Sequence, residues 1–262
     1  MAKRNPGPGP GRLYLVGTGP GAAEHLTPAA RTAIESADCL IGYRTYLELL
    51  PPELRGGKEI IASEMMKEVA RGRQALELAE QGRVVALISG GDPGIYAMAG
   101  LVFELARERG SPAIIEVVPG IAALNACAAR LGAPLMHDFA AVSLSDLLTP
   151  WELIEKRLQA AAVADFVTVI YNPQSKRRTW QLARAREIFL EERAPETPVG
   201  IVTAASRPDE KITLTTLADL EGQEVGMQST VIIGNSQSYC WNNLLITPRG
   251  YGNKYNLESN GA

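Results

Sequence analysis

Short, unbroken apolar runs recur between stretches of helical periodicity through the first half of the sequence. Arg12–Val16 (RLYLV), Cys39–Ile41, Val84–Ile88 and Ala113–Val118 read as strands. Between them, apolar spacing predicts helices from Thr27-Pro28 to about Ala37 and over Glu64–Gln81, Ile95–Arg109 and Gly120–Leu131. Strands that are apolar throughout need cover on both faces, which helical connections supply, so the pattern predicts a parallel sheet. The periodicity lapses from Gly132 to Thr149, where a domain junction is expected. Beyond it come a helix over Pro150–Ala164, a strand over Phe166–Tyr171 and a helix over Lys176–Leu190. Consecutive strands then follow at Pro198–Thr203, Lys211–Thr216 and Ser229–Ile233, which predicts an antiparallel portion. The expected fold class is α/β, with one α/β domain over 12–135 and a second over 136–250. Residues 1–11 and 251–262 are expected to be loose tails.

Composition closes off several functions. Among 262 residues, 26 Lys+Arg stand against 29 Asp+Glu, a formal charge of −3. That argues against attachment to nucleic acid by phosphate neutralisation. Cys39, Cys127 and Cys240 are far apart, and only His25 and His137 are available, so no metal site is expected. No apolar run reaches the ~20 residues of a membrane span, so no membrane partner is expected. Met1–Gly11 runs through Pro-Gly repeats without the apolar core of a signal peptide, which predicts a cytoplasmic protein.

Three glycine-bearing loops fall at predicted C-terminal strand ends: Gly17–Gly21, Gly90–Gly94 and Pro119-Gly120. Ligands of open α/β sheets bind at that edge, so the three together predict one crevice. Gly17, Gly19 and Ala22 nominally match a dinucleotide fingerprint. The helix begins too late to hold a pyrophosphate, and Pro20 removes an amide donor, so that reading is rejected. Asp92 has two roles open to it: accepting hydrogen bonds from a ligand, or capping the helix that follows.

The order and spacing of Gly17-Thr18-Gly19-Pro20-Gly21 with Leu26-Thr27, Gly90-Gly91-Asp92-Pro93 with Tyr96, and Pro119-Gly120-Ile121 resemble the tetrapyrrole (corrin/porphyrin) methyltransferases. Gly42–Tyr46, Tyr171–Arg177, Gly234-Asn235-Ser236 and Ile246–Tyr251 look like the precorrin-3B carbon-17 methyltransferases of cobalamin synthesis within that family. The resemblance covers about residues 12–235. It implies two α/β domains with S-adenosylmethionine in the cleft between them, a homodimer, and methylation of carbon 17 coupled to ring contraction, from precorrin-3B to precorrin-4. Position by position, it implies that Pro20, Gly90, Gly91, Asp92, Ile95, Ala122, Ala123, Asn172 and Thr215 surround the cofactor. The anaerobic counterpart acting on cobalt-factor III stays open. More remote alternatives are a diphthine-synthase-like methyltransferase and a non-catalytic tetrapyrrole-binding protein. Some ring-contracting relatives carry an iron–sulfur segment, and none is expected here.

A tetrapyrrole substrate carries many carboxylates, which Arg and Lys suit by charge-assisted hydrogen bonds. Arg44, Lys67, Arg71, Lys176, Arg177 and Arg178 are the candidate substrate cations, with a solvated surface role as the alternative for each. Related uroporphyrinogen methyltransferases have an Asp after the second strand, where this chain has Tyr43. Tyr43, Tyr46, Ser63 and Glu64 are therefore the candidates for orienting the macrocycle or moving a proton. Packing is the alternative for the two tyrosines, whose spacing would place them on one face of a helical turn.

Overall fold

The structure, a computed structural model, describes residues 11–64 and 66–257. Residues 1–10 of the expected N-terminal tail and 258–262 of the C-terminal one lie outside that range. Gly11, assigned to the tail, is buried and donates its N–H to Ala79 O at 3.1 Å. The chain divides into two compact units, Met1–Ala123 and Leu124–Ala262.

In chain order, the first unit contains β1 (Arg12–Gly17), α1 (Pro28–Ser36), β2 (Cys39–Tyr43), α2 (Arg44–Leu49), α3 (Pro52–Arg55), β3 (Glu59–Ser63), α4 (Glu68–Glu80), β4 (Val84–Ser89), α5 (Ala99–Arg109) and β5 (Ile114–Val118). Its five strands form one parallel sheet in the order β3-β2-β4-β1-β5. Alternation along each strand sends side chains to two cores. Leu13, Leu15, Ile41, Val85 and Leu87 pack with Leu76 of α4 and Val102 of α5, while Val16, Leu40, Ala86 and Ile88 pack with Ile34 of α1 and Leu47 of α2. The expected parallel sheet covered on both faces is what forms. Thr27 caps α1, its hydroxyl accepting from Ala30 N–H at 3.1 Å, and Pro28 opens the helix.

The second unit holds α6 (Ala123–Leu131, from the last residue of the first), β6 (Gly132–Ala133), β7 (Phe139–Ser143), α7 (Trp151–Val163), β8 (Val167–Tyr171), α8 (Gln181–Glu192), β9 (Pro198–Thr203), β10 (Lys211–Thr216), β11 (Ser229–Ile233), β12 (Tyr239–Trp241) and β13 (Leu244–Ile246). Its larger sheet, in the order β10-β9-β11-β8-β7, is antiparallel except for β7 and β8. On one face, Val142, Ile170, Val199, Ile201 and Val231 pack with Leu158 of α7 and Phe189 of α8. On the other, Leu131 of α6 lies over Gly200. A small sheet, β12-β13-β6, joins the two ends of the unit.

The structure corrects several boundaries. The helix expected over Glu64–Gln81 starts at Glu68, after β3 has ended at Ser63 and the chain has passed a left-handed Met66. The one expected from Ile95 starts at Ala99, after the Pro93-Gly94 turn and a left-handed Tyr96. The one expected from Gly120 starts at Ala123. The one expected from Lys176 starts at Gln181, since Ser175 Oγ accepts the Arg177 and Arg178 N–H groups in a local turn. The unit boundary at 123/124 compares with an expected junction at 135/136, and α6 and β6 contact β9 and β13.

Arg193 fastens the second unit from inside. It is buried, stacks 4.7 Å over the Phe189 ring, and donates to Gly234 O, to Phe166 O at 2.6 Å and to Ala161 O at 3.3 Å. Burial pushes its guanidinium below the usual arginine range, against the opposing pull of Asp165. Arg193→Met keeps most of the packing but strips three carbonyls of their donor. Denaturant unfolding followed in the second unit is expected to show a loss of about 3–5 kcal/mol.

Candidate functional site

Because β1 pairs with both β4 and β5, the loops leaving their C-terminal ends are neighbours. Connections run one way from β1, to α1 and β2, and the other way from β4, to α5 and β5. That reversal opens a crevice at the C-terminal edge, where α/β sheets bind ligands. The three loops meet backbone to backbone. Gly19 N–H donates to Gly91 O at 3.1 Å, and Gly91 N–H donates to Gly19 O at 2.7 Å. A Cβ on Gly17 would lie 2.6 Å from Gly120 N and 2.7 Å from Gly91 O, so no side chain fits there. The carboxylate of Asp92 completes the joint: Oδ1 accepts from Gly94 N–H at 2.8 Å and Oδ2 from Gly120 N–H at 3.1 Å. Asp92 thus clips two loops together and does not cap α5, whose N-cap is Met98.

Gly91 has the left-handed φ of +65°, and the nearest atoms to a Cβ there would be Ala123 N, Ala122 Cα and Ile121 O at 3.7–3.9 Å, ordinary contact distances. Its α-carbon therefore faces a cradle bordered by the buried Ala122 and by Ala123, in which a side chain would sit. Pro20 is buried beside the Gly19–Gly91 bridge, and Ile95 follows at the turn, its N–H reaching Asp92 O at 3.4 Å. In the second unit, Asn172 follows β8 with a φ of +51°, its amide donating to Ser143 Oγ at 3.0 Å, and Thr215 lies in β10.

The four candidate proton-handling residues come together at the ends of β2 and β3. Tyr43 is in register with Ser63, and the rings of Tyr43 and Tyr46 meet edge to face at 5.5 Å and 83°. The Tyr46 ring also lies on Gly90, where a Cβ would come within 2.5 Å of Cε1. Packing is thus an observed role of Tyr46, whose ring also lines a recess with Thr18, Leu26, Leu49 and Pro51. Ser63 Oγ donates to Gly42 O at 3.3 Å, and Glu64 Oε1 pairs with Arg44 Nε at 3.2 Å. The segment that forms α2 was missed in the sequence, although its Tyr and Leu spacing is helical.

The candidate cations separate by environment. Lys67, Lys176 and Arg177 are exposed, as is the Arg44–Glu64 pair. Arg178 is buried and donates Nε to Asn172 O at 2.7 Å, holding the loop after β8. Arg71 is buried beside Glu68. The cysteines offer no nucleophile from the core, since burial pushes the Cys39 and Cys127 thiols up to about 11.

Comparison with known proteins identifies the family. The family model described as Tetrapyrrole (Corrin/Porphyrin) Methylases matches residues 12–221. Over 95% of its length the chain is 51% identical to a cobalt-factor III methyltransferase of Priestia megaterium, and it spans 46% of that longer protein. It is 47% identical over 91% of its length to a probable cobalt-factor III C(17)-methyltransferase of Salmonella typhimurium, 99% of which is covered. It is 42% identical over 92% to a precorrin-3B C(17)-methyltransferase of Sinorhizobium, 97% of which is covered. Among solved structures, the methyltransferase CobJ matches with a TM-score of 0.86 and 37% identity, over 91% of this chain and 100% of that one. A uroporphyrin-III C-methyltransferase of Thermus thermophilus, complexed with S-adenosylhomocysteine, matches with a TM-score of 0.65 and 28% identity, over 86% and 92% of the two chains.

The Asp92 clip is testable without a ligand. Asp92→Ala leaves two amides without their charged acceptor, and urea unfolding of the first unit is expected to show a loss of about 1–3 kcal/mol. Hydrogen exchange at Gly94 and Gly120 is expected to accelerate, while exchange in β8 and β11 stays as in the wild type.

Proposed function

Because the chain belongs to the tetrapyrrole (corrin/porphyrin) methylases, we propose that it transfers a methyl group from S-adenosylmethionine to carbon 17 of a tetrapyrrole macrocycle, with ring contraction, in cobalamin biosynthesis. The observation that carries this reading is the cradle at Gly91, at the switch point of the first sheet, where three loops close on one another through glycine backbones and the Asp92 clip. Such a cradle fits the cofactor, since it admits a ligand to the backbone. The residues of the first unit that would hold it are Pro20, Gly90, Gly91, Asp92, Ile95, Ala122 and Ala123. The cofactor supplies an electrophilic methyl group on a sulfonium, so the protein's work is to orient donor and acceptor and to manage protons.

Tyr43 is the best placed of the candidate proton-handling groups. Ser63 Oγ is spent on Gly42 O, Glu64 is paired with Arg44, and Tyr46 packs on Gly90. The substrate is precorrin-3B or its cobalt-bearing counterpart, cobalt-factor III. The two higher identities, 51% and 47%, are to relatives named for cobalt-factor III, and this favours cobalt-factor III, although relatives named for each of the two substrates also match at 42%. Mass spectrometry of products after offering each macrocycle with isotopically labelled cofactor decides between them. A homodimer acting in the cytoplasm belongs to the same reading and is tested by sedimentation and cell fractionation.

Gly91→Ala is expected to weaken cofactor binding at least tenfold by calorimetry. Gly110→Ala supplies the control, because Gly110 has a similar φ of +60° with nothing within 4 Å of its Cβ position. It carries the same backbone cost of about 1–2 kcal/mol and is expected to leave cofactor affinity within twofold. Equal effects of the two variants on cofactor binding would remove the cradle from the site. Tyr43→Phe is expected to slow single-turnover formation of the contracted, methylated product about ten- to a hundredfold, with cofactor affinity unchanged. Wild-type rates in that variant would leave Tyr43 a packing residue.

A further inference from the structure

Three arginines among the described residues are less than a tenth exposed: Arg71, Arg178 and Arg193. Two of them are spent on the protein itself. Arg193 serves three backbone carbonyls, and Arg178 serves Asn172 O and the Met227 sulfur. Arg71, at 5% exposure, shares an orphaned Nε with Arg193 but, among the described residues, has no backbone carbonyl to serve. Its Nη2 reaches Glu68 Oε1 at 3.4 Å, long for a hydrogen bond between charged groups, and its buried Nε has no hydrogen-bond partner. The same Glu68 oxygen is shared with Met66 N–H at 3.2 Å, and the Glu68 side chain is 49% exposed. A guanidinium taken out of water needs good anionic partners, and the contact it makes among the described residues, one long approach to a shared, half-solvated oxygen, falls short of that.

Arg71 lies at the start of α4, which begins five residues after β3 ends. That is the edge of the sheet where Tyr43 and Ser63 are in register. The guanidinium is directed back toward Glu68, the first residue of the helix, where unpaired N–H groups add a field that favours anions. Nε and Nη2 form one side of the guanidinium fork, and Glu68 engages only the Nη2 half of it.

We propose that Arg71 binds a carboxylate side chain of the macrocycle through Nε and Nη2 together, displacing Glu68. Planar, two-pronged recognition of this kind is the chemistry for which arginine is suited and lysine is not. The inference rests on the tetrapyrrole reading above, and it names one of the groups that would hold that substrate. A carboxylate also occurs on the amino-acid portion of the cofactor, so the test must separate the two sources.

The experiment titrates wild type, Arg71→Met, Arg71→Lys and Glu68→Gln with cobalt-factor III and with precorrin-3B by anaerobic visible absorbance, and with S-adenosylhomocysteine by calorimetry. Arg71→Met is expected to weaken macrocycle binding about 10- to 100-fold while cofactor affinity moves less than twofold. Arg71→Lys, which keeps the charge but loses the fork, is expected to recover only part of that loss. Glu68→Gln removes the competing carboxylate and is expected to tighten macrocycle binding severalfold. Unchanged macrocycle affinity in Arg71→Met, or a loss confined to the cofactor, overturns the proposal. Should Arg71→Met fail to fold, Glu68→Gln decides, and unchanged or weaker binding in that variant overturns it. Failure of the wild type to bind either macrocycle overturns the tetrapyrrole reading and the Arg71 contact together. Wild-type binding that is indifferent to residue 71 overturns the contact alone.

Discussion

Contact between bare backbones at the C-terminal edge of the first sheet governs the rest of that unit. Gly17, Gly91 and Gly120 approach so closely that a Cβ on Gly17 or Gly120 would overlap main-chain atoms. The approach is possible because β1 is flanked by β4 and β5, so three loops emerge side by side. It is held by charge as well as shape, because one carboxylate, Asp92, accepts from two amides on two loops. The later start of α5 follows from this, since residues 90–94 are committed to the joint and the chain must pass the turn at Tyr96 before a helix can propagate.

Several motif residues that mark the family do architectural work. Asn235 Oδ1 accepts from Gln237 N–H at 3.0 Å and from Ser238 Oγ at 3.1 Å, and Ser238 Oγ contacts Thr247 Oγ1 at 2.7 Å. Thr247 N–H in turn donates to Ala133 O at 3.1 Å. The Gly234-Asn235-Ser236 and Thr247-Pro248 signatures therefore tie β11, β13 and β6 into one corner. Arg178, which as a sequence position is a plausible substrate cation, holds the Asn172 carbonyl instead. Buried polar networks of this kind fix local geometry because each member would be costly to leave unpaired.

The parallel sheet was readable because each of its inner strands is a continuous apolar run, as at Val84–Ile88, and the helix start at Thr27-Pro28 carries its own chemistry. The β3 strand was not readable. It is an edge strand whose pattern is largely exposed, and Glu59 and Ser63 disguise it as the approach to a helix. β7 escaped for the same reason, with Phe139 and Ala141 facing outward at an edge. Of the site, the glycine loops were legible from their places at predicted strand ends, whereas the pairing of Tyr43 with Ser63 was not, because it depends on β3. The dual use of Asp92 and the half-used fork of Arg71 were not, because they depend on which amides and which carboxylate lie opposite in space.

The pairing of β13 with β6 has a consequence for the growing chain. Leu245 sits beside Gly132, so the second unit's smallest sheet joins a segment made at its beginning to one made near its end. The first unit, by contrast, has all its strands once Val118 has been added. At translation rates of about 5–20 residues per second, the ribosome spends on the order of 6 to 25 seconds between completing one unit and delivering the closing strand of the other. For most of that interval Gly132–Ala133, once made, waits for its β13 partner. A chaperone acting on the nascent chain would meet a finished sheet followed by an open one.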